Sequence, residues 1–107
     1  MCMEDVRIGR KTSASQVDLT VGLTSIQAIG GSPNRYCLVF SAPIAGHVTY
    51  SLDNPAVLGN GINLGVGDGM YSLNIQHHGD IVRRPWFAIS DAASSPVGIM
   101  FTELGDQ

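Results

Sequence analysis

The feature that most constrains this chain is a period-two alternation of apolar and polar residues in short runs, each closed by Gly, Pro, Asn or Asp. Val17, Leu19, Val21 and Leu23 share one parity against Asp18, Thr20, Gly22 and Thr24; Val48, Tyr50 and Leu52 alternate with His47, Thr49 and Ser51; Tyr71, Leu73 and Ile75 alternate with Ser72, Asn74 and Gln76. Successive side chains of a strand point to opposite faces, so each run predicts a strand with one face buried. Two runs, Asn34 to Ser41 and Trp86 to Ile89, are apolar on both parities and predict strands covered on both faces, in the middle of a sheet. Ile62 and Leu64 make a short strand, and Val97, Ile99 and Phe101 make the last one. The parity shifts after Leu23 to Ile26 and Ala28, which predicts a bulge or bend around Thr24-Ser25. Gly65-Val66-Gly67-Asp68-Gly69 carries an Asp-Gly turn signal and predicts a hairpin between the strands on either side of it. No helix-period segment of useful length is present.

These runs amount to about seven or eight strands spaced roughly 8–12 residues apart, the pattern of a sandwich or small barrel. The expected fold is all-β: a single small, jelly-roll-like β-sandwich of antiparallel strands with an extended N-terminal arm. Residues 1–16 form the arm or an edge strand, residues 17–104 the sandwich, and residues 105–107 a tail. A chain of 107 residues is one domain. Only 14% of its residues are charged against 44% hydrophobic, so much of its surface is neutral, which suggests that part of it is covered in use.

The formal charge of −3 argues against a nucleic-acid partner, since phosphate neutralisation needs a basic face. No apolar run approaches the ~20 residues of a membrane helix, so no membrane partner is expected. The two cysteines, Cys2 and Cys37, stand in unlike contexts, one near the N-terminus and one inside Tyr36-Cys37-Leu38-Val39-Phe40. Cys37 reads as a buried free thiol, and the opening residues have neither the basic nor the apolar region of an export signal. The expected site of synthesis is a reducing cytoplasm.

Residue types that carry chemistry are present without an arrangement that uses them. His77 and His78 are adjacent and would point to opposite faces of an extended chain, so with His47 they do not make a metal set. The glycines at 65, 67 and 69 precede a strand and not the helix a phosphate loop requires. Ser, His and Asp residues lack a nucleophile-elbow spacing, and Asp53, Asp68 and Asp80 each lie in a turn that an Asp stabilises by itself. No catalytic residue, cofactor or metal is expected, and the chain reads as no enzyme. The basic groups Arg7, Arg10 and Lys11 in the arm, and Arg83 and Arg84 ahead of Pro85-Trp86, are the candidate partner-binding residues. Trp86 is expected in the core. A carbohydrate- or receptor-binding module would instead need Trp86, Tyr50 or Tyr71 exposed beside turn Asp or Asn groups.

Three stretches together resemble small tailed-bacteriophage virion accessory proteins of the capsid-decoration and head-fibre type. They are the Asn-Arg-led strand Asn34 to Ser41, the turn Gly59-Asn60-Gly61-Ile62-Asn63-Leu64-Gly65-Val66-Gly67, and the Trp-aromatic-Ala-Ile-Ser strand within Asp80 to Ser90. The resemblance spans about residues 34 to 104; the basic arm lies outside it, and Arg83-Arg84 are not part of its pattern. It implies a structural β-sandwich made in the host cytoplasm and located in the virion, bound to the major capsid protein or other virion proteins. A homo-oligomer is expected, because small accessory subunits gain contact area by closing rings.

Overall fold

The computed structural model describes residues 12–104. They form eight strands: β1 Thr12–Val21, β2 Ile26–Ile29, β3 Arg35–Ser41, β4 His47–Ser51, β5 Ile62–Gly65, β6 Met70–Asn74, β7 Trp86–Ser90 and β8 Ser95–Leu104. One short helix, α1 Ile75–His78, and a 3-10 helix, Gly79–Arg83, lie between β6 and β7. The strands make two four-stranded sheets, in the order β1-β8-β3-β6 and β2-β7-β4-β5, with every ladder antiparallel. The protein is a small all-β fold with its core between the sheets.

The two runs that are apolar on both parities take interior positions: β3 lies between β8 and β6, and β7 between β2 and β4. Two expectations are corrected, and a third is resolved between its alternatives. Of the expected bulge or bend around Thr24-Ser25 the structure has the bend, at Leu23–Thr24: β1 ends at Val21 and β2 begins at Ile26 in the other sheet, so the parity changes where the chain changes sheets. The glycine-rich segment after β5 is not a hairpin: β5 pairs with β4 and β6 with β3, so it carries the chain across the sandwich. Its glycines still serve the turn, for Gly67 and Gly69 have φ of 86° and 78°, a region that side chains with a Cβ avoid. His77 and His78 are not on an extended chain, since Asn74 caps a helical turn there by accepting the His77 backbone N–H at 2.9 Å. Residues 12–16 of the segment expected as an arm or edge strand belong to β1, which starts at Thr12, lies at the edge of the first sheet and pairs along its length with β8. The remainder of the arm and the tail lie outside the described residues.

Leu38, Phe40, Val48, Tyr50, Leu73, Val82, Trp86, Ala88 and Ile99 make the centre of the core. Phe40 stacks on Tyr50 with centroids 4.2 Å apart and meets the Trp86 ring edge-on at 5.2 Å. The polar ends of these rings are satisfied within the core: the Tyr50 hydroxyl donates to the Ser41 carbonyl at 3.0 Å and Trp86 Nε1 donates to the Ile81 carbonyl at 3.0 Å. Burial also pushes the Tyr50 hydroxyl pKa above its ordinary value. A raised folded-state pKa gives stability that is fully present below the unfolded tyrosine value of about 10 and is lost as pH rises through the folded value. Tyr50→Phe should therefore cost about 1 kcal/mol at pH 8 through the lost hydrogen bond and should flatten the decline above pH ~10. Urea midpoints at the two pH values check both effects.

The outer faces of the two sheets differ. On the second sheet the segment between β4 and β5 folds back over the strands: Thr49 is fully buried, its Oγ1 donates to Asn63 Oδ1 at 3.1 Å and accepts the Gly59 N–H at 2.9 Å, and the Ala56 N–H reaches Ser25 Oγ at 2.8 Å. Gly61 makes this possible, since a Cβ there would collide with the Tyr50 carbonyl. On the first sheet Met100 is 40% exposed, while Cys37 and Val39 are buried although they belong to a cluster separate from the main core.

Candidate functional site: the outer face of the first sheet and its basic end

Along β3 the alternation divides the side chains between two environments. Leu38 and Phe40 enter the main core; Cys37 and Val39 point the other way and pack with Tyr36 and partly buried Ile75. Their ladder neighbours on this outward face are Thr102 and Met100 of β8 and Asn74 and Ser72 of β6. Cys37 is disulfide-bonded, which corrects the reading of it as a free thiol. Its burial was expected, and at 2% exposure it is buried. The alternation, however, turns its side chain away from the main core, to the outer face of the first sheet. The chain has one other cysteine, Cys2, outside the described residues.

The base of the same strand is fastened by Arg35, which is 1% exposed. Its Nε donates to the Val82 carbonyl at 2.7 Å, Nη1 to the Gly30 carbonyl at 2.8 Å and Nη2 to the Arg84 carbonyl at 2.9 Å. In return Arg83 Nε donates to the Arg35 carbonyl at 3.1 Å. The planar guanidinium thus ties the β2–β3 connection and the 3-10 helix to the sheet with a geometry an ammonium could not copy. Burial pushes its pKa down from the ordinary arginine value, and the nearby Glu103 carboxylate opposes that. Sequence reasoning missed Arg35 as a structural centre. The available signal was an arginine opening a run that is apolar on both parities, where a charge must find buried acceptors.

Of the candidate partner-binding residues, Arg83 is half-buried and partly engaged in this fastening, and Arg84 is exposed beside it. Arg7, Arg10 and Lys11 lie outside the described residues. His77 and His78 belong to the same end, but Asn74 occupies them: His77 Nδ1 is 2.9 Å from Asn74 Oδ1, and His78 Nδ1 accepts the Asn74 N–H at 3.1 Å. His47 is at the opposite end, where Asp91 accepts its backbone N–H at 2.8 Å and faces its Nδ1 at 3.1 Å. The backbone hydrogen bond, aided by the imidazole, holds the Asp91 carboxyl below its ordinary pKa.

Among the described residues no three His, Cys, Asp or Glu side chains converge to hold a metal ion. Asp68 is spent on its own turn, with Oδ2 accepting the Gly65 N–H at 2.6 Å. Trp86 and Tyr50 are 4% and 0% exposed and offer no stacking platform; Tyr71, 42% exposed, is the one of the three at the surface. An open groove of about 470 Å³ beside Leu19, Ala42, Ile44 and Val97 has Asp18, Thr20 and Ser41 as its polar rim. Ser41 Oγ is already engaged there by the Gly98 N–H at 2.8 Å. Among the described residues no helix is long and apolar enough to cross a membrane.

No family model matches the chain, and no curated protein does. One solved structure is similar to it, a chain from the Bacillus endospore appendages, described there as a novel family of disulfide-linked pili. The likeness has a TM-score of 0.56 at 13% identity and covers 89% of this chain and 86% of that one. It is a likeness of fold.

Proposed function

We propose that the chain is a structural, non-enzymatic subunit of a larger assembly, joined to neighbouring copies by a disulfide from Cys2 of one copy to Cys37 of the next. The observation that carries this reading is the disulfide-bonded Cys37 on the outward face of a central strand; the bond is seen in a single chain whose one other cysteine is Cys2, and in the assembly the same pair forms between copies by exchange of the N-terminal segment. Cys2 lies ten residues before Thr12 at the start of β1, a length of chain that spans up to ~33 Å when extended, enough to reach a neighbouring copy. Disulfides persist outside reducing compartments, which suits a subunit exposed on the exterior of a particle. The similar fold among disulfide-linked pili supports the shared part of the reading, a repeated β-sandwich with a covalent link.

The setting we propose is the one implied by the sequence resemblance, a bacteriophage virion in which the subunit decorates the capsid or forms a head fibre, with the basic residues of the arm and Arg83 and Arg84 against the capsid protein. The test is a density-gradient fractionation of source lysate, followed by gels of the particle-bearing fractions with and without reductant. We expect the protein in those fractions as a ladder of multiples that collapses to the monomer on reduction and is absent from Cys2→Ser. Protein confined to the soluble fractions overturns the virion setting. A lone monomer band without reductant overturns the covalent link.

A further inference from the structure

The first sheet ends in two open edges, and they match. Its order, β1-β8-β3-β6, contains an even number of alternating strands. β1 and β6 consequently run in opposite directions, and among the described residues neither has a strand on its outer side. A sheet edge presents unpaired N–H and C=O groups, and proteins that stay apart blunt such edges with lysine, proline or inward-pointing charge. β1, ten residues long, has the sequence TSASQVDLTV, with no lysine and no proline; β6, MYSLN, has no charge at all.

The flanks of the sandwich are open at the same places. Val17 and Leu19 lie on the parity of Val21, which is fully buried, yet both are only half-buried, and Ser15 on that parity is exposed. Tyr71 pairs with buried Phe40 in the ladder and is still 42% exposed, with Met70 beside it at 62%. Val17 and Leu19 at one lateral edge and Tyr71 at the other, all on core-facing parities, are thus left partly wet.

We infer that β1 of one copy pairs antiparallel with β6 of a second copy, extending the first sheet from molecule to molecule. A copy displaced sideways, without inversion, places its downward β6 beside the upward β1, so the antiparallel junction follows from the strand count. Such a contact joins two different surfaces and leaves one free edge at each end, so it propagates into a ring or a filament and does not stop at a dimer. The five residues of β6 set the length of the junction. The inference deepens the reading of the chain as a repeated subunit, but it is non-covalent and does not need the disulfide.

Sedimentation velocity of the full-length chain in reductant separates the two. The expected result is association beyond a dimer that grows with concentration and persists in reductant. Ser15→Lys on β1 and Tyr71→Lys on β6 each place a charge on the core-facing side of the junction, where it would be desolvated without a partner. Each should weaken association by about tenfold or more, while thermal unfolding shows the monomer still folded. The two substitutions lie on different strands, so one of them misfolding leaves the other to decide. Monomer at every concentration in reductant overturns the inference, as does a discrete dimer, which would mean two-fold pairing of β1 with itself. Loss of the gel ladder with association intact would instead overturn only the covalent link.

Discussion

Replacing Phe40 with alanine should destabilise the domain by about 3–5 kcal/mol, the range for removing a large aromatic from a core that cannot collapse around the loss. Phe40 is fully buried and is the ring both other core aromatics touch: Tyr50 stacks on it at 4.2 Å and Trp86 meets it at 5.2 Å. It joins the sheets as well, since it belongs to β3 in the first sheet while Tyr50 and Trp86 belong to β4 and β7 in the second. Truncation removes the transfer free energy of the ring and two aromatic contacts worth about 0.5–1.5 kcal/mol each. For a domain near this size each kcal/mol moves the midpoint by about 4–8 °C, so the melting temperature should fall by roughly 12–40 °C. Phe40→Leu keeps most of the volume and should lose clearly less. Equal losses for the two variants would mean that ring geometry, and not filled volume, holds the sheets together.

Arg35→Met should cost a similar amount, about 3–5 kcal/mol, for a different reason. Methionine fills most of the space, but the carbonyls of Gly30, Val82 and Arg84 lose their donors at once, and a buried acceptor left unmade costs about 1–3 kcal/mol. Relieving the burial of a charge offsets part of this. Arg35→Lys has one ammonium to offer three divergent acceptors and should recover only a fraction. The loss should be seated locally as well: amide exchange should accelerate first across residues 79–85, which Arg35 ties down, before the ladder of β3 and β8 opens. Uniform acceleration throughout the chain would show that Arg35 supports the sandwich as a whole and not this segment.

The parts of the fold legible in the sequence are those that depend on one strand at a time. Period-two alternation located the strands, and apolar residues on both parities placed β3 and β7 inside their sheets. Pairing depends on two strands at once, and there local signals misled: Asp68-Gly69 has the chemistry of a hairpin turn, but the apolar faces of β5 and β6 are better buried in opposite sheets. The step from Val21 to Ile26 has the same origin, since a change of sheet and a bulge both invert parity. At the candidate site, the burial of Cys37 was readable from its neighbours, whereas its bonding was not, because it depends on where a residue 35 positions away comes to lie. Arg35 was visible only as a charge in an apolar run, and its three acceptors come from segments 5, 47 and 49 residues distant.

The pairing of β1 with β8 has a consequence for how the molecule comes into being. Within the first sheet, the strand made first touches only the strand made last, and β8 is also what joins β1 to β3. During synthesis β1 therefore has no partner in its sheet until the ten-residue strand β8 has been made, and every shorter nascent chain lacks the strand that joins β1 to β3. Contacts so distant along the chain are closed late and slowly. The open edge of β1 is consequently exposed until β8 has been made, while other nascent copies are nearby.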